Sequence, residues 1–244
     1  MSVAVPVRGT LPVARRLLLT LRGDRRTLGL VLVAPVFIIY LFSEVFPNPQ
    51  QVAPILLGVF VFVLTYLLTA IGFLRERTTG TLDRVLVSPI SRGGLVLGYV
   101  LGFGVLAAAQ SLVLLGSGIY FLDFTFEHSV ILFFLIELLG ALTALGLGVL
   151  LSLFAQNEFQ VMQFIPVVIT PQVILGGTFM PVEELPLYLE LPARVMPVTY
   201  ILEAMDYIVL GEGGITDFWV AVGALCAFTV LSIVVAGVIV RRAV

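Results

Sequence analysis

Glu137 is the residue of this chain best placed to do chemistry inside a membrane. It lies about two turns into the apolar run Ser129 to Phe154. A carboxyl there could line a translocation path, bind a cationic group, or pair with a polar group across a dimer. The plainer alternative is a hydrogen-bonded glutamic acid that holds helices together. Glu44, near the end of the first apolar run, is the other acidic side chain in such a position. His128 is the sole histidine and stands at the edge of a run, so no two-His metal site can be built from this chain. No serine sits in a Gly-x-Ser-x-Gly frame, which argues against a serine hydrolase. Cys226 is the one cysteine, so there is no intramolecular disulfide and no cysteine metal cluster. The chain has no lysine and no Gly-x-x-x-x-Gly-Lys-Ser/Thr phosphate loop, so it cannot bind ATP in that manner.

A second set of residues is built for contact rather than catalysis. The stretch Arg75 to Arg92 is the one sizeable polar island between long apolar runs. Glu76 with Arg75, Arg77 and Arg84 offers charged contacts that set register and specificity. Leu82, Val85 and Leu86 recur at helical spacing and make a short apolar face suited to a groove. Gly80 permits the turn into that helix, and Ser88-Pro89 stops it. The competing reading is a solvated loop whose arginines serve topology alone.

Such residues need a frame, and composition says what it is. Of 244 residues, 60% are hydrophobic and 11% charged. A soluble domain carries about 25% charged residues, so the bilayer is the solvent. Six runs reach the ~20 residues a hydrocarbon crossing requires: about 28–46, 52–74, 95–121, 129–154, 161–180 and 218–240. The fold class is therefore all-α, a polytopic membrane protein of six transmembrane helices. Residues 1–27 form an N-terminal segment ahead of the transmembrane domain 28–244. Its six arginines spread over too many positions for a cleavable signal peptide. Within it, Arg15 to Arg22 reads as an amphipathic helix whose leucines enter the membrane interface. Twelve of the 13 arginines fall before the first run, between the second and third, or after the sixth. Basic loops stay in the cytoplasm, which predicts a cell-membrane protein with both termini on the cytoplasmic side. Arg194 alone lies on the opposite, acidic side. The net charge of −2 gives no footing for nucleic acid.

The connection before the last run is too apolar for water and too broken to span. Pro181, Pro186, Pro192 and Pro197 punctuate it. It reads as two half-helices that dip into the outer leaflet and return, which requires protein or a wet cavity to satisfy the backbone. Pro166 and Pro171 each remove a backbone donor and predict a kink or unwound turn in the fifth span. Gly98-x-x-x-Gly102 has the spacing of close helix packing.

Three of these stretches resemble one family in order and spacing. Arg75 to Arg92, with its Glu-Arg opening, Gly-Thr-Leu and Ser-Pro, is similar to the segment after the second span of ABC-2 permeases. Gly176-Gly177-Thr178-Phe179-Met180-Pro181 with Leu185-Pro186, and Met196-Pro197-Val198-Thr199-Tyr200, resemble that family's segments at the outer end. The resemblance covers most of the chain. It implies the membrane half of an ATP-binding-cassette exporter, with no enzymatic activity of its own. The partners implied are a separate ATPase subunit, which binds ATP and Mg, and a second permease chain, as a homodimer or with a close paralogue. It further implies that Arg75, Glu76, Arg77, Gly80, Leu82, Arg84, Val85 and Leu86 couple to that ATPase. Pro181, Pro186, Pro197 and Tyr200 would belong to an outer gate. A self-contained secondary carrier or channel, with Glu137 at its centre, is the alternative.

Overall fold

The computed structural model describes residues 9–81, 90–123 and 125–242. Among them there are helices and no strand. In chain order the helices are α1 (Thr10–Gly23), α2 (Arg25–Val45), α3 (Pro49–Thr78), α4 (Arg92–Leu122) and α5 (Val130–Ser152). Then come α6 (Glu158–Phe164), α7 (Thr170–Val173), α8 (Leu187–Ala193), α9 (Pro197–Leu210) and α10 (Ile215–Arg242). Six helical stretches are long and apolar enough to cross a membrane, in the places expected. Most run a few residues past the apolar limits read from sequence. α3 extends from Pro49 to Thr78, because helical hydrogen bonding continues where hydrocarbon ends.

Starts and stops follow side-chain chemistry. Ser91 Oγ accepts from the Gly94 N–H at 3.0 Å, and Asn157 Oδ1 from the Gln160 N–H at 3.0 Å, each satisfying an otherwise orphaned donor. Pro49 and Pro197 stand at helix starts, where a missing N–H costs nothing. Gly211 ends α9 in the left-handed region at φ 70°.

The fifth span is not one α-helix. α6 passes into a π turn at Ile165–Ile169, then α7, then a second π turn at Ile174–Thr178 that breaks at Gly177, φ 102°. Pro166 and Pro171 sit at the starts of the first π turn and of α7. The expected kink or unwound turn takes the form of two widened turns, the second of which breaks at Gly177.

α3, α4 and α5 make the centre, with α9 and α10 against them. Small residues set how closely they approach. A Cβ added at Gly148 of α5 would collide with Thr69 Oγ1 and lie 2.8 Å from the Tyr66 carbonyl oxygen of α3. Gly140 faces Ile201 of α9, and Gly146 faces Ser232 of α10. The Gly98 and Gly102 pair serves a different contact from a span-to-span crossing. Their faces receive Val13 and Leu17 of α1. The apolar face of α1, with Val13, Ala14, Leu17 and Leu21, is buried, and α1 packs along α4. That corrects the expectation that the leucines of this helix all enter the bilayer interface: Leu17 and Leu21 are protein-facing, whereas Leu19 remains exposed.

Candidate functional site

The arginine-rich end of the bundle is organised around the last turn of α3. Its three charged residues point three ways. Glu76 is buried, and its Oε2 accepts from Arg16 of α1 at 2.6 Å and from the Tyr99 hydroxyl of α4 at 3.0 Å. Arg16 also donates to the Tyr99 oxygen at 3.1 Å, closing a three-residue network over three helices. Arg75 donates to Glu158 of α6 at 2.6 Å and to Asp24, between α1 and α2, at 3.2 Å. Arg77 donates to the Ser152 carbonyl oxygen at 2.6 Å, satisfying a last-turn carbonyl of α5. Gly80 then turns the chain at φ 67°. The loop emerges from a turn bound to α1, α4, α5 and α6.

Four of the predicted contact residues, Leu82, Arg84, Val85 and Leu86, lie outside the described residues. Of the remainder, Arg75, Glu76 and Arg77 all have partners within the chain. Sequence reading missed their partners Arg16, Tyr99, Asp24, Ser152 and Glu158. One signal was there. Arg16 adjoins the apolar stripe Val13, Leu17, Leu21, and a charge beside such a stripe on a helix that packs on protein needs a counter-charge.

The opposite, acidic end is held by Arg194. Its guanidinium meets Glu183 at 2.6 Å, Glu203 at 2.9 Å and Glu190 at 3.8 Å. The Thr199-Tyr200 pair has a geometric role. Thr199 donates to the Ala193 carbonyl oxygen at 2.8 Å and Tyr200 to that of Arg194 at 2.6 Å, capping the end of α8. Pro181 precedes a single 3₁₀ turn at Val182–Glu184, Pro186 precedes α8, and Pro197 opens α9. The structure therefore brings Pro181, Pro186, Pro197 and Tyr200 into one proline-punctuated element.

That element helps line a cavity of about 860 Å³, with Gly177, Thr178, Arg194, Tyr200, Asp206 and Glu212 on its wall. Glu183, Glu203 and Asp217 line it as well. The Asp206 carboxyl is pushed up to about 7, chiefly by burial and then by the charges of Glu212 and Glu203. Folding thus tightens its hold on a proton. The stabilisation is fully present below the ordinary aspartate value and is lost as pH rises through about 7. Asp206→Asn is expected to flatten the decline in melting temperature of the purified chain over this window. An unchanged pH profile would refute the assignment.

Glu137 is wholly buried in α5, and both carboxyl oxygens lack a hydrogen-bond partner among the described residues. It does not line the 860 Å³ cavity. Its spacing from Ala141, Ala144 and Gly148 puts it on the α5 face that meets α3. His128 stacks on Tyr207, ring centroids 4.3 Å apart. Among the described residues no group of three or more His, Cys, Asp and Glu side chains is placed to hold a metal ion.

Comparison with known proteins agrees with this architecture. The family model of the ABC-2 type transporter matches residues 11–210. The chain is similar to a probable multidrug ABC transporter permease, YbhR, of Escherichia coli, with 26% identity over 178 residues, 73% of this chain and 48% of that protein. It is 27% identical to ABC transporter G family member 20 of Dictyostelium discoideum over 199 residues, 79% of this chain and 27% of that one. It is 24% identical to the linearmycin resistance permease protein LnrN of Bacillus subtilis over 173 residues, 70% and 45% of the two chains. The chain spans about half the length of YbhR, or 48%. With six apolar helices of membrane-crossing length and a model match over most of its residues, this multi-pass membrane protein belongs to the ABC-2 type transporter family.

Proposed function

We propose that the chain is the permease subunit of an ATP-driven exporter, coupled to a separate ATPase through the loop that follows α3. The observation that carries this reading is the binding of the last turn of α3 to α1, α4, α5 and α6 immediately before that loop. A push on a free loop dissipates in the loop. A push on a turn tied to four helices moves those helices as a unit. Glu76, Arg75 and Arg77 act in this account as anchors. The contact with the ATPase falls to Leu82, Arg84, Val85 and Leu86, whose spacing gives an apolar face flanked by charge.

The working unit is two permease chains, identical or closely related, with two ATPase subunits that bind ATP and Mg. It sits in the cell membrane with the arginine-rich end in the cytoplasm. The proline-punctuated element from Pro181 to Met205 forms the outer gate above a path between the two chains. The names of YbhR and LnrN point to drug-like cargo, and we carry that class over to this chain.

The test is co-purification with the nearest encoded ATPase. Substituting Glu76 would confuse a lost docking contact with a lost anchor, so the variant is Val85→Asp with Leu86→Asp. The expected result is a monodisperse chain that no longer retains the ATPase. Retention at the wild-type level would sink the docking assignment. Transport by the chain alone, without any ATPase, would favour the self-contained carrier.

A further inference from the structure

The cavity at the acidic end holds charge that the chain does not pair. Five carboxyl groups and one guanidinium line it. Arg194 is taken up by Glu183 and Glu203, at 2.6 and 2.9 Å. Asp217 accepts from the Gly214 N–H at 3.1 Å, at the start of α10. Asp206 and Glu212 have no hydrogen bond or ion pair among the described residues, and the Glu212 charge adds to the hold of Asp206 on its proton. Neither carboxyl is sealed off. Asp206 is partly exposed, and Glu212 lies on the exposed connection between α9 and α10. Both therefore face space that a ligand can enter.

The rest of the wall narrows the ligand class. The carboxyls are spread round the cavity rather than gathered at a point: among the described residues no three acidic side chains are placed to hold a metal ion. A volume of about 860 Å³ is room for a small molecule. Tyr207 and Phe218 contribute rings stacked 5.0 Å apart, and Ile55, Leu202 and Leu210 add apolar surface. An anion meets no unpaired positive charge here, since Arg194 is saturated by carboxylates. The Tyr200 hydroxyl donates to the Arg194 carbonyl oxygen and is occupied as well. A bulky organic cation suits all of these features. Its charge is spread over a large body, so it gives up less hydration on entry than a small ion does. Ring faces attract it in addition.

We propose that this cavity binds a monovalent organic cation with an aromatic or branched apolar body, its charge held by Asp206 and Glu212 and its body against Tyr207 and Phe218. The proposal deepens the cargo reading above and rests on it for the step after binding. Binding itself needs no ATPase, so the Val85→Asp with Leu86→Asp variant, which tests docking, should leave it intact. Ligand and proton compete for Asp206, so affinity rises as pH rises through about 7. The charged and titratable groups around Asp206 are Glu203 on its own helix, Glu212 after it, Glu183 and Arg194 on the outer element, and Asp217 on α10. His128 stacks on the neighbouring Tyr207.

The test uses the full chain in nanodiscs of phosphatidylcholine, with empty nanodiscs as the blank for partition into lipid. The probe is radiolabelled tetraphenylphosphonium. Tetraphenylborate, of the same shape and opposite charge, and neutral triphenylphosphine oxide are measured in separate samples. The expected result is saturable binding of the phosphonium above the blank, with the borate and the oxide at the blank level. Glu212→Gln, on an exposed connection where folding is not at stake, should weaken the phosphonium about fivefold, as a partly exposed charge pair provides. Asp206→Asn should weaken it about as much at alkaline pH and remove the rise in affinity on crossing about pH 7. Phosphonium uptake equal to the blank would overturn the proposal. So would saturable binding of the borate or the oxide as tight as that of the phosphonium, or an affinity that neither variant changes. If Asp206→Asn is not monodisperse, Glu212→Gln and the three probes decide the matter in its place.

Discussion

Glu76→Ala should destabilise the chain by about 2 to 3 kcal/mol and release α1 from the bundle. Removing one member of a buried ion pair leaves the other charge and its hydrogen-bond partners uncompensated, at roughly 3–5 kcal/mol when both are fully buried. Arg16 is 31% exposed on its side chain and can recover some hydration, so the lower end applies. Tyr99 is 3% exposed and would be left facing a lost acceptor. Thermal unfolding in detergent reads the overall loss. Hydrogen exchange over Thr10–Gly23 tells whether the damage is local to α1. Arg16→Met gives the coupling term. If the effects of Glu76→Ala and Arg16→Met simply add in the double variant, the two side chains are not paired and the anchor account fails. If the proposed docking by Leu82, Val85 and Leu86 holds, Glu76→Ala is also expected to uncouple ATP hydrolysis from transport while a complex still forms.

A still more local change should be at least as costly. Gly148→Val puts branched carbon where α3 and α5 touch, against the Tyr66 carbonyl oxygen and Thr69 Oγ1. Backbone cannot swing aside as a side chain tip can, so the helices must separate. Overpacking of this kind costs about 3 kcal/mol. It would disturb the core that Tyr66, Phe62 and Leu57 share with α5. Two controls calibrate it. A Cβ at Gly104 has Leu142 at 3.7 Å, and one at Gly116 has nothing within 4 Å. Gly104→Ala and Gly116→Ala should therefore be neutral, or slightly stabilising through helix propensity. A melting temperature for Gly148→Val equal to theirs would show that α3 and α5 do not approach this closely.

The two ends of the molecule differ in how much was legible beforehand. At the acidic end, prolines at 181, 186 and 197 announced short helices, and the structure has a 3₁₀ turn, α8 and α9 there. Proline acts within its own turn, so its consequences are local and readable. The capping of α8 by Thr199 and Tyr200 was not readable, since it depends on where the chain folds back. At the arginine-rich end, Arg75, Glu76 and Arg77 were visible as charges of a loop base. That Glu76 turns inward is decided by Arg16 and Tyr99, which are 60 and 23 residues away in the chain. The Gly98 and Gly102 pair carried a correct signal of close approach and no information about which helix approaches.

The sequence alone determined that the chain is helical, that it crosses a membrane six times, and where its polar loop and proline-rich element fall. Those properties follow from hydropathy over ~20 residues and from backbone chemistry within a turn, both of which are local. Only the tertiary structure decided that α1 lies on α4 and that the last turn of α3 gathers four helices. In lipid the hydrophobic effect does not choose among helix partners. The choice falls to small residues that allow contact and to polar side chains that must find one another across long sequence separations.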